Sequence, residues 1–313
     1  MTRDRTLTLG TLSALLAFLM WGLTPIYWKQ LGGVAAGEIL AHRIVWSAVI
    51  LLVLVPILQT REVRQALGDP RSLLIAAGAG LLVGVNWFVY MWAVGQERLI
   101  EASLGYYINP LVSVVLGMVF LKERLSRLQA LAFLIAGVGV VILGLRVGRV
   151  PWISLTLAGS FGFYGLVKKT GKLNSIVSLL VELVVLAPIA TVFLAAVHSG
   201  GTGPLVTAVL GEGSVTGGAF GSGDVLRTLF LAGAGVVTIA PLLFFGAAAR
   251  RIPLSRVGIL QYLAPTLMLL LGTLLYGEAF TTAHAVSFGL IWIALGLYTV
   301  SILRGARADR RSP

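Results

Sequence analysis

The stretch Thr8–Trp28, TLGTLSALLAFLMWGLTPIYW, carries no charged side chain. In lipid every backbone N–H and C=O must find a partner inside the protein, and a helix provides all of them within one segment. At ~1.5 Å per residue this stretch spans ~30 Å, the thickness of a bilayer's hydrocarbon core. It is too long for the apolar core of a signal peptide, and no small-residue cleavage site follows it, so it reads as a retained span. Runs of the same kind recur to the end of the chain. The expected spans are 8–28, 37–58, 72–95, 100–121, 128–145, 151–167, 174–198, 226–249, 255–276 and 283–303. They are continuously apolar rather than alternating, which disfavours β-barrel strands. The expected fold class is all-α and integral to the membrane, with ten transmembrane helices.

Composition agrees. Of 313 residues, 58% are hydrophobic and 12% charged, against about 25% charged in a soluble domain. The absence of cysteine excludes disulfides, thiolate metal sites and cysteine nucleophiles. A net charge of +12 could point to nucleic acid, but the basic residues sit in short clusters between apolar runs and form no continuous stripe. Topology explains them better, and no nucleic-acid partner is expected.

Those clusters set an orientation. Alternate loops and both termini hold Arg3, Arg5, Arg61, Arg64, Arg71, Lys122, Arg124, Arg127, Lys168, Lys169, Lys172, Arg250, Arg251, Arg256, Arg304, Arg307, Arg310 and Arg311. The opposite loops hold only Lys29, Arg98, Arg146, Arg149 and Arg227, and Arg43 lies within a span. The excess predicts that both termini are cytoplasmic. The alternation fails if one span is missed or invented, so it also supports the count. The segment 199–224 is rich in Gly, Ser and Thr without Lys or Arg, and reads as a flexible extracytoplasmic connector.

An internal repeat is visible. Tyr107, Pro110, Gly117 and Glu123 recur, with the same spacing, as Tyr262, Pro265, Gly272 and Glu278. The same shift relates Gly78 to Gly233, Gly80 to Gly235 and Ala93 to Ala248, and a weaker match relates Trp21-Gly22 to Tyr164-Gly165. The expected repeats are 8–145 and 151–303, each of five spans. An odd number of crossings inverts the second copy. Inverted repeats are the architecture of many alternating-access carriers, whose substrate site lies near the midplane between the halves.

Four segments carry a family resemblance: EILAHR at 38–43, EASLGYYINPL at 101–111, FGFYGLV at 161–167 and QYLAPTLM at 261–268. With them the chain resembles the RarD branch of the EamA family, in the drug/metabolite transporter superfamily, over nearly its whole length. The resemblance implies ten helices in two EamA repeats, a bacterial cytoplasmic-membrane location and transport of small organic molecules. It does not fix a physiological substrate.

Charge at the bilayer centre costs about 2.5–3.5 kcal/mol on insertion scales, so charges kept there need a reason. Between Ile44 and Leu58 the apolar run is too short to cross, so the membrane must include part of 38–43. Arg43 then lies inside the leaflet far from the termini, with Glu38 and Glu101 at its boundary. One expectation is a charged vestibule in which Arg43 anchors an anionic group of a small-molecule substrate or pairs with a carboxylate. The structural alternative is an ion pair that fixes helix two against helix four. Glu182 is the most isolated charge and a candidate for proton coupling or substrate contact; a cytoplasm-leaning structural residue is the alternative. His42 shares a helical face with Glu38 and is the second proton candidate.

Pro110, Pro241 and Pro265 each free a backbone carbonyl and mark expected helix kinks. Tyr107, Asn109, Gln261 and Tyr262 supply polar tips at similar depth and are expected to line a translocation cavity. Trp87 and Tyr90, with Trp92, form either an aromatic cavity wall or an interfacial belt. Trp21 and Tyr164 are a candidate gate pair. Gly80, Gly84, Gly159, Gly162 and Gly165 read as sites of close helix packing, and Glu123 and Glu278 as structural caps or ion partners.

No complete phosphate loop, HExxH helix or GxSxG elbow occurs, and carboxylates are too sparse for a metal pair. No cofactor, metal or enzymatic activity is expected. A secondary carrier is favoured, with a non-transporting membrane sensor or structural subunit as the alternative. Partners are the substrate, the bilayer and, as coupling ion, the proton; neither a monomer nor an oligomer is favoured.

Overall fold

The computed structural model describes residues 3–95, 99–145, 152–199, 218–276 and 282–309, and within them no strand occurs. The helices are α1 (Arg3–Trp28), α2 (Ala36–Leu58), α3 (Thr60–Leu67), α4 (Pro70–Gly95), α5 (Leu99–Leu121), α6 (Arg127–Gly144), α7 (Trp152–Thr170), α8 (Ser175–His198), α9 (Val225–Arg251), α10 (Leu254–Gln261), α11 (Leu263–Leu270) and α12 (Thr282–Asp309). Seven helical stretches among the described residues are long and apolar enough to cross a membrane: those of α1, α2, α4, α5, α8 and α9, and the α10–α11 segment Leu254–Leu275. Shorter apolar helices run over Arg127–Ile142 and Phe288–Arg304.

Two elements differ from the sequence reading. The first is α3, which stands where a loop is expected between the second and third spans. Val63, Ala66 and Leu67 recur at helical spacing there, and Ala66 is buried beneath the turn. The second is the ninth span, where the kink expected at Pro265 is a full break at Tyr262 between α10 and α11, and which ends in a π-type turn, Leu271–Leu275. Pro265 has no N–H for the Gln261 carbonyl and its ring crowds that group, so the break falls where the ladder is interrupted. Pro110 and Pro241 lie inside the continuous helices α5 and α9.

Contacts at the helix ends show an up-and-down bundle with two faces. On the basic face, Lys169 Nζ donates to the carbonyls of Ala249 and Ile252, and Asn174 Nδ2 donates to Gln59. On the far face, Tyr27 donates to the Phe230 carbonyl, and Trp92 packs on Trp152. Large apolar side chains such as Leu16, Leu19 and Leu23 of α1 and Leu52 and Val53 of α2 are exposed around the bundle. A belt of this size needs lipid or a partner to cover it.

Inside, α1 lies along α9 and α11, α2 along α8 and α9, α4 along α7 and α8, α5 along α7 and α10, and α6 along α12. Glycines set the closest of these approaches. A Cβ at Gly80 of α4 would lie 2.8 Å from the backbone of Glu182 in α8, and one at Gly235 of α9 would lie 2.8 Å from the Ser47 nitrogen in α2. Gly84 and Gly162 likewise meet Leu186 and Val112, whereas Gly159 has open space beside it and is not a packing glycine.

At the end of α5 the chain turns through Lys122, at a left-handed φ of 54°. This brings Glu123 over the first turn of α10. Its carboxylate accepts from the Leu254 nitrogen at 2.7 Å, the Ser255 nitrogen at 2.9 Å and the Ser255 hydroxyl at 2.6 Å. Those amides are among the four that a helix start leaves unpaired. Glu123→Ala is expected to cost about 2 kcal/mol, the upper range for loss of a cap. Thermal unfolding in detergent would show this as a lowered midpoint, and an unchanged midpoint would mean that water replaces the carboxylate.

Candidate functional site

Two polar clusters occupy opposite ends of the bundle interior. Toward the basic face, Lys168 of α7 and Glu182 of α8 form an ion pair at 2.7 Å, with side chains 2% and 0% exposed. Ser178 donates to the same carboxylate oxygen at 2.6 Å, and Tyr164 donates to the other at 3.0 Å. Helical spacing accounts for the placement: Tyr164 and Lys168 are one turn apart on α7, and Ser178 and Glu182 one turn apart on α8. Glu182 is therefore not the isolated charge that the sequence suggests. Lys168, a loop cation by its neighbours in sequence, turns inward instead.

Above this pair lies an aromatic cluster. Tyr164 stacks on Phe245 at 5.8 Å, and Phe161 meets Trp21 at 5.7 Å and Phe245 at 5.1 Å. Trp21 and Tyr164 do not pair directly; Phe161 and Phe245 stand between them. Phe18, Tyr164 and Phe245 are fully buried, while Trp21 and Phe161 are only half-buried. Their neighbours one turn away, Ala17, Phe18, Leu157 and Gly165, are buried.

Arg43 forms the second cluster, toward the far face. Its Nε donates to Thr238 of α9 at 3.0 Å. Its guanidinium carbon lies 4.9 Å from the ring of Trp28 and 5.2 Å from that of Trp87. Tyr90 and Tyr106 stand edge to face at 5.8 Å and are close enough to act on Arg43 electrostatically. Thr238 and Phe245 are two turns apart on α9, which separates the clusters by ~10 Å of depth. Trp87 and Tyr106 are half-buried although Val83, Met91, Ala102 and Pro110 around them are buried. At this end Arg43 sits between aromatic rings, and Arg43, Trp87 and Tyr106 keep part of their surface unburied.

The other expected residues fall elsewhere. Glu38 accepts from the Ala219 nitrogen at 2.6 Å, and His42 stacks on Phe220 at 5.0 Å, a ring that Trp46 also meets. These residues pin the end of the connector to α2. His42 Nε2 lies 3.9 Å from Glu38 Oε1, too far for a hydrogen bond. Tyr262 is buried, and its hydroxyl donates to the Tyr107 carbonyl at 3.2 Å, while the Tyr107 ring meets Phe288 of α12. This repeat-related pair packs α5 against α10 and α12. Asn109 Oδ1 and Gln261 Oε1 are buried without a hydrogen-bond partner among the described residues. Trp92 packs on Trp152, while the Trp87 ring lies against Arg43. The side chain of Glu101, and Glu278 entirely, lie outside the described residues. No cluster of three metal-ligating side chains occurs among those described. Sequence reasoning misses Lys168, Ser178, Thr238, Trp28 and Tyr106; the one-turn spacings Tyr164–Lys168 and Ser178–Glu182 are the available signal for the first two.

Residues 8–145 match the EamA-like transporter family. The chain is 43% identical to the protein RarD of Streptomyces exfoliatus over 96% of its own length and 91% of that protein. The chain belongs to the RarD branch of the EamA family. RarD of Escherichia coli K12 is 39% identical over 94% of this chain and 95% of its own. The uncharacterized transporter YojE of Bacillus subtilis is 44% identical over 96% and 97%. A solved crystal structure with 18% identity covers 96% of this chain and 98% of its own with a TM-score of 0.69, a likeness of fold. Family membership makes this RarD-branch protein a membrane transporter, and gives its exposed apolar belt the bilayer as its solvent.

Proposed function

We propose that this RarD-branch protein is a secondary active exporter of small organic metabolites or drugs across the bacterial cytoplasmic membrane, working by alternating access with the proton as coupling ion. Residues 8–145 and 151–303 act as two inverted five-helix repeats that cross the bilayer ten times, with both termini and the basic face in the cytoplasm. The connector 199–224 is extracytoplasmic.

The packing supports the inverted repeat. Exchanging each helix for its counterpart turns the α1–α9 contact into α7–α4, the α2–α9 contact into α8–α4, and the α5–α7 contact into α10–α11 on α1. The remaining large contacts, α2–α8, α5–α10 and α6–α12, pair each helix with its own counterpart. Two halves related in this way can exchange conformations, which is how one site becomes accessible from either side.

One observation carries the transport reading. Phe18, Tyr164, Phe245 and the Lys168–Glu182 pair are buried, whereas Arg43, Trp21 and Phe161 are only half-buried. This asymmetry supports the reading of an outward-facing carrier. The Lys168–Glu182 pair is the buried acid–base pair among the described residues, and so is where a coupling proton would act.

Purified protein in liposomes, screened with a metabolite and drug panel with and without an imposed pH gradient, tests this. Saturable flux that follows the gradient is expected, with loss of gradient dependence in Glu182→Gln and in the Lys168→Met/Glu182→Gln double variant. Gradient-independent flux would remove the proton, leaving a facilitator or exchanger. Absence of flux from folded protein would favour the sensory or structural alternative.

A further inference from the structure

Arg43 has no acidic partner among the described side chains. Glu38 is held by the Ala219 nitrogen, Glu182 by Lys168 and Glu123 by the start of α10. Glu62, Asp69 and Asp224 lie in or beside the loops. An intramembrane ionisable residue is a functional-site hypothesis by default. The ion-pair alternative would take Glu101 of α5, whose side chain lies outside the described residues.

The surroundings define what could bind. Thr238 occupies Nε and holds the side chain, since its own hydroxyl donates to the Ala234 carbonyl at 2.8 Å. The terminal nitrogens have no acceptor among the described residues, and a pair of terminal N–H groups fits a carboxylate in parallel bonds. Two indoles flank the guanidinium and two phenols stand beside it. Such rings cover an apolar body at little entropic cost and pack flat groups well. Their cation–π contact also replaces part of the lost hydration of Arg43 while no ligand is bound.

Resting on the transport reading above, we infer that the Arg43 site binds small organic monoanions with a flat apolar body, the carboxylate on the terminal nitrogens of Arg43 and the body against Trp28, Trp87, Tyr90 and Tyr106. The site discriminates by charge. A neutral amide loses the ionic bond, and an amine of the same shape meets Arg43 as a like charge.

The test uses the full chain and three probes of one shape: 3-phenylpropanoate, 3-phenylpropanamide and 3-phenylpropylamine. Binding is read as quenching of intrinsic tryptophan fluorescence in detergent, for the natural protein, Arg43→Gln and Arg43→Lys. The carboxylate is expected to bind at least about tenfold more tightly than the amide, the amine not at all, and Arg43→Gln to abolish that preference. Arg43→Lys keeps the sign of the preference but loses the paired bond, so it falls between the two. Equal binding of carboxylate and amide, binding of the amine, or an unchanged preference in folded Arg43→Gln would overturn the inference. Neutral compounds carried in liposomes while 3-phenylpropanoate neither binds nor moves would overturn it and leave the transporter standing. No flux of any compound from folded protein would instead overturn the transport reading.

Discussion

Lys168→Met is expected to destabilise the protein by about 3–5 kcal/mol, and the added change Glu182→Gln to restore most of that loss. The pair is fully enclosed: neither side chain reaches solvent to any useful extent, and the amine sits 2.7 Å from the carboxylate. Removing the ammonium leaves Glu182 with only the hydroxyls of Ser178 and Tyr164. Two neutral donors do not offset the desolvation of an ionised carboxylate. Met follows the course of the lysine stem, so the single variant loses charge rather than volume. In the double variant the Gln carbonyl accepts from one hydroxyl and its NH2 donates to the other, whose oxygen accepts, and no uncompensated charge remains. Thermal unfolding of the natural protein, Lys168→Met, Glu182→Gln and the double variant closes the cycle. A single variant as stable as the natural protein would mean that water reaches Glu182, and the pair would not be enclosed.

The same pair marks how far the sequence could be read. Glu182 stands out as one acidic residue in an apolar run. Its partner does not, because Lys168 lies beside Lys169 and Lys172 in what composition marks as a basic loop. Only the register of α7 turns Lys168 toward α8 while Lys169 takes the carbonyls of Ala249 and Ile252. Arg43 is legible for the same reason as Glu182, and Thr238 is not, since it joins from a helix 195 residues away. The repeat is legible through Tyr107 and Tyr262, yet the repeated tyrosines pack helices together; identical spacing shows common architecture, not a shared ligand. The helical runs are legible because lipid demands length and apolarity. The short α3 depends on local bonding, which composition does not report, whereas the break at Tyr262 falls beside the kink that Pro265 marks.

Gly80→Ala and Gly235→Ala are expected to cost about 2–3 kcal/mol each, and by similar amounts, whereas Gly78→Ala should be close to neutral. At Gly80 the new methyl would lie 2.8 Å from the backbone of Glu182, and at Gly235 2.8 Å from the Ser47 nitrogen. Backbone cannot yield as a side-chain tip can, so α4 must part from α8, and α9 from α2. Gly78, on the same helix as Gly80, has nothing within 4 Å of the place a methyl would take, and controls for helix propensity. The near-equal distances carry the sharper consequence. Contacts that belong to one side of an alternating-access cycle should differ between counterparts in a structure open at one end only. These two do not differ, so on the proposed alternating-access cycle α4 with α8 and α9 with α2 are expected to move as units, and the cycle to turn on the contacts around Trp21, Phe161 and Phe245. Thermal unfolding of the three variants checks this. A large loss at Gly80 with none at Gly235 would place one of the pairs among the moving contacts, and the rigid units would have to be redrawn.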